Sequence, residues 1–462
     1  GAPAPLPEFF EQFHVFVSPV LAPKYPPGFA LAMVPGIWLG APALIPLMLT
    51  GITGGVLFLL SRRITGGPVA LLATVIWVLA PINLLLHVSY FSQTLTAALW
   101  LIGWWALLAW REHRRMTHLV LLGVVVGWLG ITRPFTALLY VLPLGAVLLR
   151  DVVLHRAWRG VAIAAGAGSL ILLLLPIHDR LVTGHWLELP YTKYAKTYLP
   201  FDRMGFGLRA SEPLVRLPPD MLAFTHYFEA IHEAHTTSHL PATLANRTVS
   251  LLAGLSNGAP ALFGLLILLG LFRAPAAAMF AMSSTAILLL GHLAYAHPPE
   301  WILYYEEGFP VLVLLAALGV ARLVDWILRS ASSAESRHTA SARRSLLLVI
   351  ASLGLMVALP RRLTGIGGYE RRITHEQVQF RDMVRALPTR SIVFVRYAPN
   401  HIMHFSLIAN PPDYHSAPVW IVYDRGDDNP RLMALAPDRV PYLYLEGEHR
   451  LVPMDQGATR RD

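Results

Sequence analysis

Lysine is scarce in this chain, and one of its three lysines stands where an apolar segment begins. Lys24 and Tyr25 occur in SPVLAPKYPPGFALAMVPG, followed by two prolines. Proline disfavours helix at the residue before it, so Pro26 and Pro27 set the direction in which the chain continues. The ammonium group can anchor the chain at a membrane interface with Tyr25, or it can hold a lipid-linked phosphate. The residues alone leave both interpretations open.

The other two lysines lie in PIHDRLVTGHWLELPYTKYAKTYLPFDRMGFG, residues 176–207. This segment leaves a long apolar run with ionisable residues, which are costly at membrane depth and often functional. Its mixture of aromatic and charged side chains suits sugar and phosphate recognition. An ordered loop with a local Asp179–Arg180 pair explains it equally well. The candidates are His178, Asp179, Lys193, Tyr194, Lys196 and Arg203.

Paired acids and a single arginine mark two further places. HPPEWILYYEEGFP brings Tyr304, Tyr305, Glu306 and Glu307 together, and such carboxylates can transfer protons or hold a divalent cation. A hydrated loop with interfacial aromatics is the alternative. Arg133 in ITRPF suits a pyrophosphate ligand, or it can pair with one of these acids.

Histidine spacing gives a weaker signal. In HYFEAIHEAHTTSH, His232, His235 and His239 share one face if the segment is helical, which could hold a metal. The spacing is not HExxH, so we favour a structural or surface helix and assign no metal ligand. The sequence also has no phosphate-binding glycine motif, no nucleophile elbow and no cysteine. These absences argue against ATP-driven chemistry, hydrolysis at a serine elbow and thiol chemistry.

The composition indicates what must position these residues. The chain is 55% hydrophobic and 14% charged, with a mean hydropathy of +0.51. In soluble domains about a quarter of all residues are charged. The lower share here predicts a polytopic α-helical membrane protein. The net charge of +9 comes from arginines that punctuate apolar runs, and we therefore exclude nucleic acid as a partner.

Apolar runs predict about ten spans, with a short helix at 28–39 that lies at the membrane surface. The spans are predicted at 40–60, 68–88, 92–110, 117–132, 135–149, 160–178, 250–272, 276–296, 308–328 and 345–360. Basic loops such as REHRR (111–115) follow alternate spans and predict the cytoplasmic side. The chain thus divides into an extracytoplasmic segment (1–39), a membrane domain (40–360) with an outer loop (179–249), and an extracytoplasmic tail (361–462).

The tail has the alternating pattern of a small α/β domain. Strands are predicted at SIVFV (391–395), VWIVYD (419–424) and VPYLYLEG (440–447). A helix is predicted at NPRLMALA (429–436), with Asp428 as its N-cap and Pro430 at its first helical position.

In their order, four segments resemble the membrane-embedded GT-C glycosyltransferases, in the bacterial branch of protein mannosyltransferases and the aminoarabinose transferase of lipid A. They are KYPPG, GWLGITRPFTALLYVLP, TGHWLELPYTKYAKTYLPFDRMGFG and YYEEGFPVLVLLAALGVARL. The resemblance covers about 1–330. It implies transfer of a sugar from a polyprenyl phosphate to an extracytoplasmic lipid, glycan or protein, with inversion, by an enzyme of the bacterial inner membrane. Family members work with or without a divalent cation, so no cofactor is assigned.

The resemblance also assigns roles. Lys24, beside Tyr25, matches the position that meets the donor phosphate, with Arg133, Lys193, Lys196 and Arg203 as further phosphate candidates. Tyr304, Tyr305, Glu306 and Glu307 would line the cavity or acceptor side, and His178, Asp179 and Tyr194 complete the candidates there. The family's catalytic Asp lies upstream of the lysine, whereas residues 1–23 contain only Glu8 and Glu11 as acids. We therefore expect an N-terminally truncated chain, with Glu11 as the alternative base.

Two other functions fit the same residues. A lipid-carrier transporter or flippase would use a basic cavity without turnover, and broken helices in two matching halves would favour it. A ligase that moves a glycan from polyprenyl pyrophosphate would need more phosphate-binding arginines around a large outer loop, for which 179–249 is long enough.

Overall fold

The computed structural model describes residues 3–156, 158–209, 212–256, 258–331, 337–388, 390–401 and 405–454. The chain forms two compact units, each built from separated stretches of sequence. Unit 1 comprises Gly1–Pro26, Pro176–Thr236 and Gly368–Asp462, and unit 2 comprises Pro27–Leu175 and Thr237–Gly367. The sequence analysis instead proposed three consecutive segments. The side of the membrane on which each segment lies stays a prediction.

Helices dominate the described part of the chain. In chain order they are α1 (Pro7–Phe10), α2 (Gly28–Trp38), α3 (Leu44–Thr65), α4 (Gly67–Leu79), α5 (Pro81–Leu86), α6 (Ser92–His113), α7 (Met116–Thr132), α8 (Pro134–His155), α9 (Trp158–Leu172), α10 (Leu174–Thr183), α11 (Pro190–Tyr198), α12 (Pro219–Ala234), α13 (Leu240–Ser256), α14 (Pro260–Leu271), α15 (Ala276–Gly291), α16 (Phe309–Ala331), α17 (Arg337–Met356), α18 (Leu359–Ile373), α19 (His375–Arg385) and α20 (Asn429–Leu435). A 3₁₀ segment, Ile302–Gly308, precedes α16.

Six strands form two sheets, both in unit 1. They are β1 (Val15–Phe16), β2 (Ala22–Pro23), β3 (Ser391–Arg396), β4 (Val419–Tyr423), β5 (Val440–Leu445) and β6 (Arg450–Pro453). β1 and β2 pair as a short antiparallel ribbon, and the other four have the order β4-β3-β5-β6. β3 runs parallel to β4 and β5, while β6 pairs antiparallel with β5. The predicted α/β tail is therefore confirmed, with β6 as an additional strand.

The core of unit 1 joins the two ends of the chain. Phe9 and Phe10 on α1 are fully buried, and the Phe10 ring lies 4.8 Å from Tyr414 and 5.4 Å from Trp420. Phe9 lies 6.4 Å from Phe394 on β3, in the edge-to-face arrangement that aromatic pairs favour. Apolar residues between Ala4 and Leu21 therefore complete the hydrophobic core of the sheet that β3 to β6 form.

Seven helical segments in the described ranges are long and apolar enough to cross a membrane, or eight if one bent pair counts as a span. They are Leu44–Thr65, Ser92–His113, Pro134–His155, Trp158–Thr183, Ala276–Ala294, Ile302–Arg329 and Thr339–Arg372, and the bent pair is Thr237–Ser256 with Pro260–Leu271. A multi-pass α-helical membrane protein is thus confirmed, but the predicted count of ten is not.

Two of the predicted spans, 68–88 and 117–132, do not correspond to single helices of spanning length. The first is broken at Ala80, whose extended backbone separates α4 from α5 at Pro81, as proline requires of the residue before it. The second is α7, whose 17 residues fall short of the roughly 20 that cross a 30 Å hydrocarbon layer. Continuous apolar composition hid the break in the first case, whereas the second predicted range is itself only 16 residues long.

Glycine lets α7 and α9 pack backbone to backbone in unit 2. A Cβ atom on Gly127 would lie 2.6 Å from the carbonyl oxygen of Gly168, closer than side-chain carbons come. Small residues permit such close approach between membrane helices. The buried core of this unit includes Trp77, Trp100 and Tyr140, and the Tyr140 hydroxyl donates to the Trp100 carbonyl at 2.9 Å.

Candidate functional site

Lys24 is placed by the ribbon in unit 1. It follows β2 directly, and its backbone N–H donates to the His14 carbonyl at 2.8 Å. Tyr191 and Tyr194 lie three residues apart on α11, so their side chains share one face of that helix. Asp202 follows α11 in a turn closed by its own N–H to the Leu199 carbonyl. These elements bring together residues nearly 180 positions apart.

The Lys24 ammonium is buried, with only 2% of the residue exposed, between one carboxylate and several aromatic rings. Its Nζ lies 3.4 Å from Asp202 Oδ2, 4.4 Å from the Tyr191 ring centre and 4.9 Å from that of Tyr194. Tyr25 stands farther away at 5.5 Å and is half exposed. The Tyr191 hydroxyl donates to the Asp202 carboxylate at 3.0 Å. Lys24 is thus held by an ion pair and by ring faces that attract cations.

Burial and Asp202 act on the Lys24 ammonium in opposite directions. Burial, the larger effect, lowers the pKa of Lys24 because it disfavours the charged form, whereas the Asp202 carboxylate raises it. Asp202 lies in the segment 176–207, but the candidate predicted at this point is its neighbour Arg203, which is exposed. Asp202 is the carboxylate that pairs with Lys24 in this structure.

The remaining candidates in unit 1 are dispersed along the same chain segment. Lys193 donates to the Thr183 carbonyl at 2.8 Å, and Lys196 forms an exposed pair with Glu188 at 3.3 Å. His178 Nδ1 lies 3.8 Å from Oδ1 of its neighbour Asp179, which is buried. Tyr194, by contrast, accepts a hydrogen bond at 3.0 Å from the backbone N–H of His14, so it joins α11 to the ribbon.

Glu11, the alternative base, is a buried carboxylate that pairs with an arginine. It follows α1 and lies 3.2 Å from Arg425, whose Nε donates to the Glu8 carbonyl at 2.8 Å. Burial raises the pKa of Glu11 to about 8, although Arg425 lowers it. The ionised, proton-accepting form of this group therefore becomes more populated as pH rises through about 8.

The three histidines do not share one helix face. α12 ends at Ala234, which leaves His235 and His239 beyond the helix. The buried His232 packs on Phe201, His235 packs on Phe206, and burial lowers the pKa of His232 to about 4. Across the described residues, no three or more His, Asp or Glu side chains group so as to hold a metal. The possible divalent cation stays a prediction.

A second cluster, in unit 2, is built on the 3₁₀ segment Ile302–Gly308. Glu307 is fully buried, and its Oε1 accepts hydrogen bonds from Thr96 of α6 at 2.5 Å and Arg133 at 2.8 Å. Arg133 stands between α7 and α8, with its guanidinium carbon 5.9 Å from the Tyr304 ring centre. Of the two alternatives for Arg133, a pyrophosphate ligand or a partner of an acid, the structure shows the second, with Glu307 as the acid.

Glu306, its neighbour, faces a histidine. Its Oε1 lies 3.0 Å from His87 Nε2, and both side chains are buried. His87 Nδ1 lies 3.0 Å from the hydroxyl of Thr50, which itself donates to the Pro46 carbonyl. Both nitrogens of the His87 ring therefore have a side-chain oxygen at 3.0 Å.

Buried Arg247 on α13 holds the chain that leads to these acids in place through hydrogen bonds. It donates to the carbonyls of His292 and Tyr295 at 2.8 and 2.9 Å, and to the Tyr305 hydroxyl at 3.2 Å. Tyr305 in turn lies 2.9 Å from His297 Nε2. Arg247, His87 and Thr96 were not among the predicted site residues, because single polar residues within or at the end of apolar helices carry no local pattern.

The chain matches no protein-family model and no curated protein. Among solved structures it matches ArnT from Cupriavidus metallidurans bound to undecaprenyl phosphate, with a TM-score of 0.51 and 13% identity, over 92% of this chain and 83% of that chain. The fold is similar to that of ArnT. The apo ArnT structure matches over the same shares at 0.48. The GT-C-like fold expected from the sequence resemblance is confirmed, and at this identity the likeness concerns the fold alone.

Proposed function

We propose that this protein is a membrane glycosyltransferase that moves a sugar from a polyprenyl phosphate to an extracytoplasmic acceptor, with inversion at the sugar. The ArnT-like fold carries this proposal, because the matching ArnT structure holds undecaprenyl phosphate. The multi-pass helical architecture suits a donor that stays in the bilayer. The bacterial inner membrane, with the site on the extracytoplasmic side, is part of the proposal.

Lys24 would bind the donor phosphate. As the bond to the sugar breaks, negative charge develops on the phosphate, and a fixed ammonium stabilises it more strongly in a dry pocket than in water. Asp202 would be the counterion of Lys24 until the donor arrives, so donor binding would exchange one anion for another. Tyr191 and Tyr194 would keep Nζ in place through their ring faces.

The acids and Arg133 of unit 2 would serve the acceptor or a second phosphate. Glu307 forms an ion pair with Arg133, and Glu306 lies beside His87. Glu11 is the candidate base in this chain, and its raised pKa predicts activity that increases toward alkaline pH.

The test is transfer by the full-length protein in liposomes that contain radiolabelled polyprenyl-phosphate sugars. The informative variant is the double substitution Lys24→Met with Asp202→Asn, because it removes the cation without leaving a buried carboxylate unpaired. We expect transfer to fall at least about 100-fold, as when one electrostatic group that stabilises a transition state is lost. Arg385→Met, which removes an exposed cation of unit 1 that pairs with Asp382, is the matched control.

Each outcome separates the candidate functions. Label transferred by the wild type and the control, but not by the double variant, supports the transferase and the role of Lys24. Full transfer by the double variant refutes that role. Binding of the lipid carrier without transfer from any donor refutes the transferase and favours a transporter, and transfer from polyprenyl pyrophosphate alone favours a ligase.

A further inference from the structure

An apolar cavity of about 260 Å³ opens in unit 2, lined by residues of α3, α6, α8 and α15 and by the start of α16. Its wall is almost entirely hydrocarbon, and the largest side chains in it are Trp104 and Phe280. Arg111 and Arg150 are its only charged lining residues among those described. A wall of this kind suits an apolar chain, and the two guanidinium groups mark one end of it.

The depth of the cavity follows from the helix that lines it along its length. On α6 the lining positions run from Leu101 through Trp104, Leu107 and Leu108 to Arg111. Ten residues of helix rise about 15 Å. That is half of the roughly 30 Å hydrocarbon layer, or one leaflet. The cavity therefore matches the length of one phospholipid acyl chain, and a much longer polyprenyl chain would exceed it.

The mouth of the cavity is strongly basic. A more open hollow of about 450 Å³ adjoins it, sharing Arg111 and adding Arg63 and Arg114. The helix ends here, at 62–63, 111–115 and 150–151, carry six arginines against two carboxylates, Glu112 and Asp151. Arg111 pairs with the buried Asp151 through Nε at 3.0 Å, while Arg114 and Arg150 are exposed. The positive charge exceeds what these acids neutralise.

We propose that this cavity binds one acyl chain of an anionic glycerophospholipid, whose phosphate lies at the arginines of the mouth. Basic pockets between membrane helices are known places for anionic headgroups, particularly on the cytoplasmic side, which the arginine-rich loops predict here. The apolar wall excludes free phosphate as the main ligand, and the excess positive charge selects against a zwitterionic lipid. The site is separate from the proposed donor site and does not depend on the proposed reaction.

The test is native mass spectrometry of the detergent-purified protein, titrated with dioleoyl phosphatidylglycerol or dioleoyl phosphatidylcholine. We expect tighter binding of phosphatidylglycerol. Arg150→Gln should weaken it about fivefold, the contribution of one arginine beside an anionic lipid surface. Arg273→Gln, which removes an arginine outside the lining, should leave it unchanged. Ala277→Phe should abolish binding of both lipids by filling the cavity, whereas Leu290→Phe, on an exposed position of the same helix, should not.

Equal binding of the two lipids by the wild type would overturn the proposal. So would unchanged lipid binding in an Ala277→Phe protein with wild-type melting temperature, or preferred binding of undecaprenyl phosphate in this cavity. If Ala277→Phe does not fold, the comparison of Arg150→Gln with Arg273→Gln still decides. If those two substitutions weaken phosphatidylglycerol binding equally, binding depends only on the overall charge of the protein, and the proposal is overturned.

Discussion

Replacing Asp202 by asparagine should destabilise unit 1 strongly while hardly changing its shape. The substitution leaves the Lys24 ammonium buried against three tyrosine rings without a carboxylate. Removing one partner of a buried ion pair typically costs about 3–5 kcal/mol, because the remaining charge has lost both water and its counterion. Lys24→Met should cost a similar amount, since it leaves the Asp202 carboxylate buried.

The double variant should cost much less than the sum of the two single variants. With neither charge present no desolvated ion remains, and an apolar replacement of a buried pair is often neutral. The exposed Lys196–Glu188 pair is the control, because Lys196→Met should change the free energy of unfolding by less than about 1 kcal/mol. The stability of the two single variants, the double variant and Lys196→Met is compared with that of the wild type through the midpoint of thermal unfolding in detergent, followed by tryptophan fluorescence.

The pH dependence provides an independent check. Asp202 raises the pKa of Lys24, so the pKa of Lys24 in Asp202→Asn falls further below its unfolded value of 10.5. The unfolded chain then binds more protons than the folded one, and stability rises with pH up to that value. The loss caused by Asp202→Asn should therefore shrink as pH rises toward 10. Additive costs for the two single variants, or a loss independent of pH, would refute the reasoning.

Two further predictions concern single residues. Burial raises the pKa of Glu11 from 4.5 to about 8. Between pH 4.5 and 8 the folded chain therefore binds more protons at Glu11 than the unfolded chain does. The free energy of unfolding should fall as pH rises through that range. Glu11→Gln should remove a decrease of about 5 kcal/mol in the free energy of unfolding between pH 4.5 and 8. The slope of melting temperature against pH measures this, and an unchanged slope would contradict the assignment. Gly28→Ala should destabilise unit 2 by about 1–3 kcal/mol, because its Cβ would lie 2.8 Å from the Ile131 carbonyl oxygen. Gly51→Ala, in open space on α3, should not destabilise it, and equal melting temperatures for the two variants would rule out the close contact.

Local patterns predicted much of the architecture. The strands β3, β4 and β5 and the helix α20 appear within a residue or two of their predicted positions, because alternation and turn residues are visible in a short window. Asp428 precedes α20 as predicted, but its side chain makes no capping hydrogen bond, and Asn429 bonds to Asp424 instead. Apolar composition likewise indicated the long helices, although it does not record where a helix bends or stops.

The candidate sites depend on contacts that no short window contains. Lys24 and Glu307 drew attention because charged groups stood beside apolar segments. Their partners Asp202 and Arg133 lie 178 and 174 positions away in the sequence, so only the folded chain shows which charge neutralises which. The roles of these residues in binding or transfer stay predictions.

The packing of Phe9 and Phe10 on the sheet has a consequence for synthesis. Their partners Phe394, Tyr414 and Trp420 are translated about 400 residues later, which at 5–20 residues per second takes roughly 20–80 s. Throughout that interval two phenylalanines that end up fully buried have no sheet to cover them. A nascent chain in this condition is a substrate for chaperones and proteases, and any ribosome that stops before β3 leaves the first segment of the protein without its core.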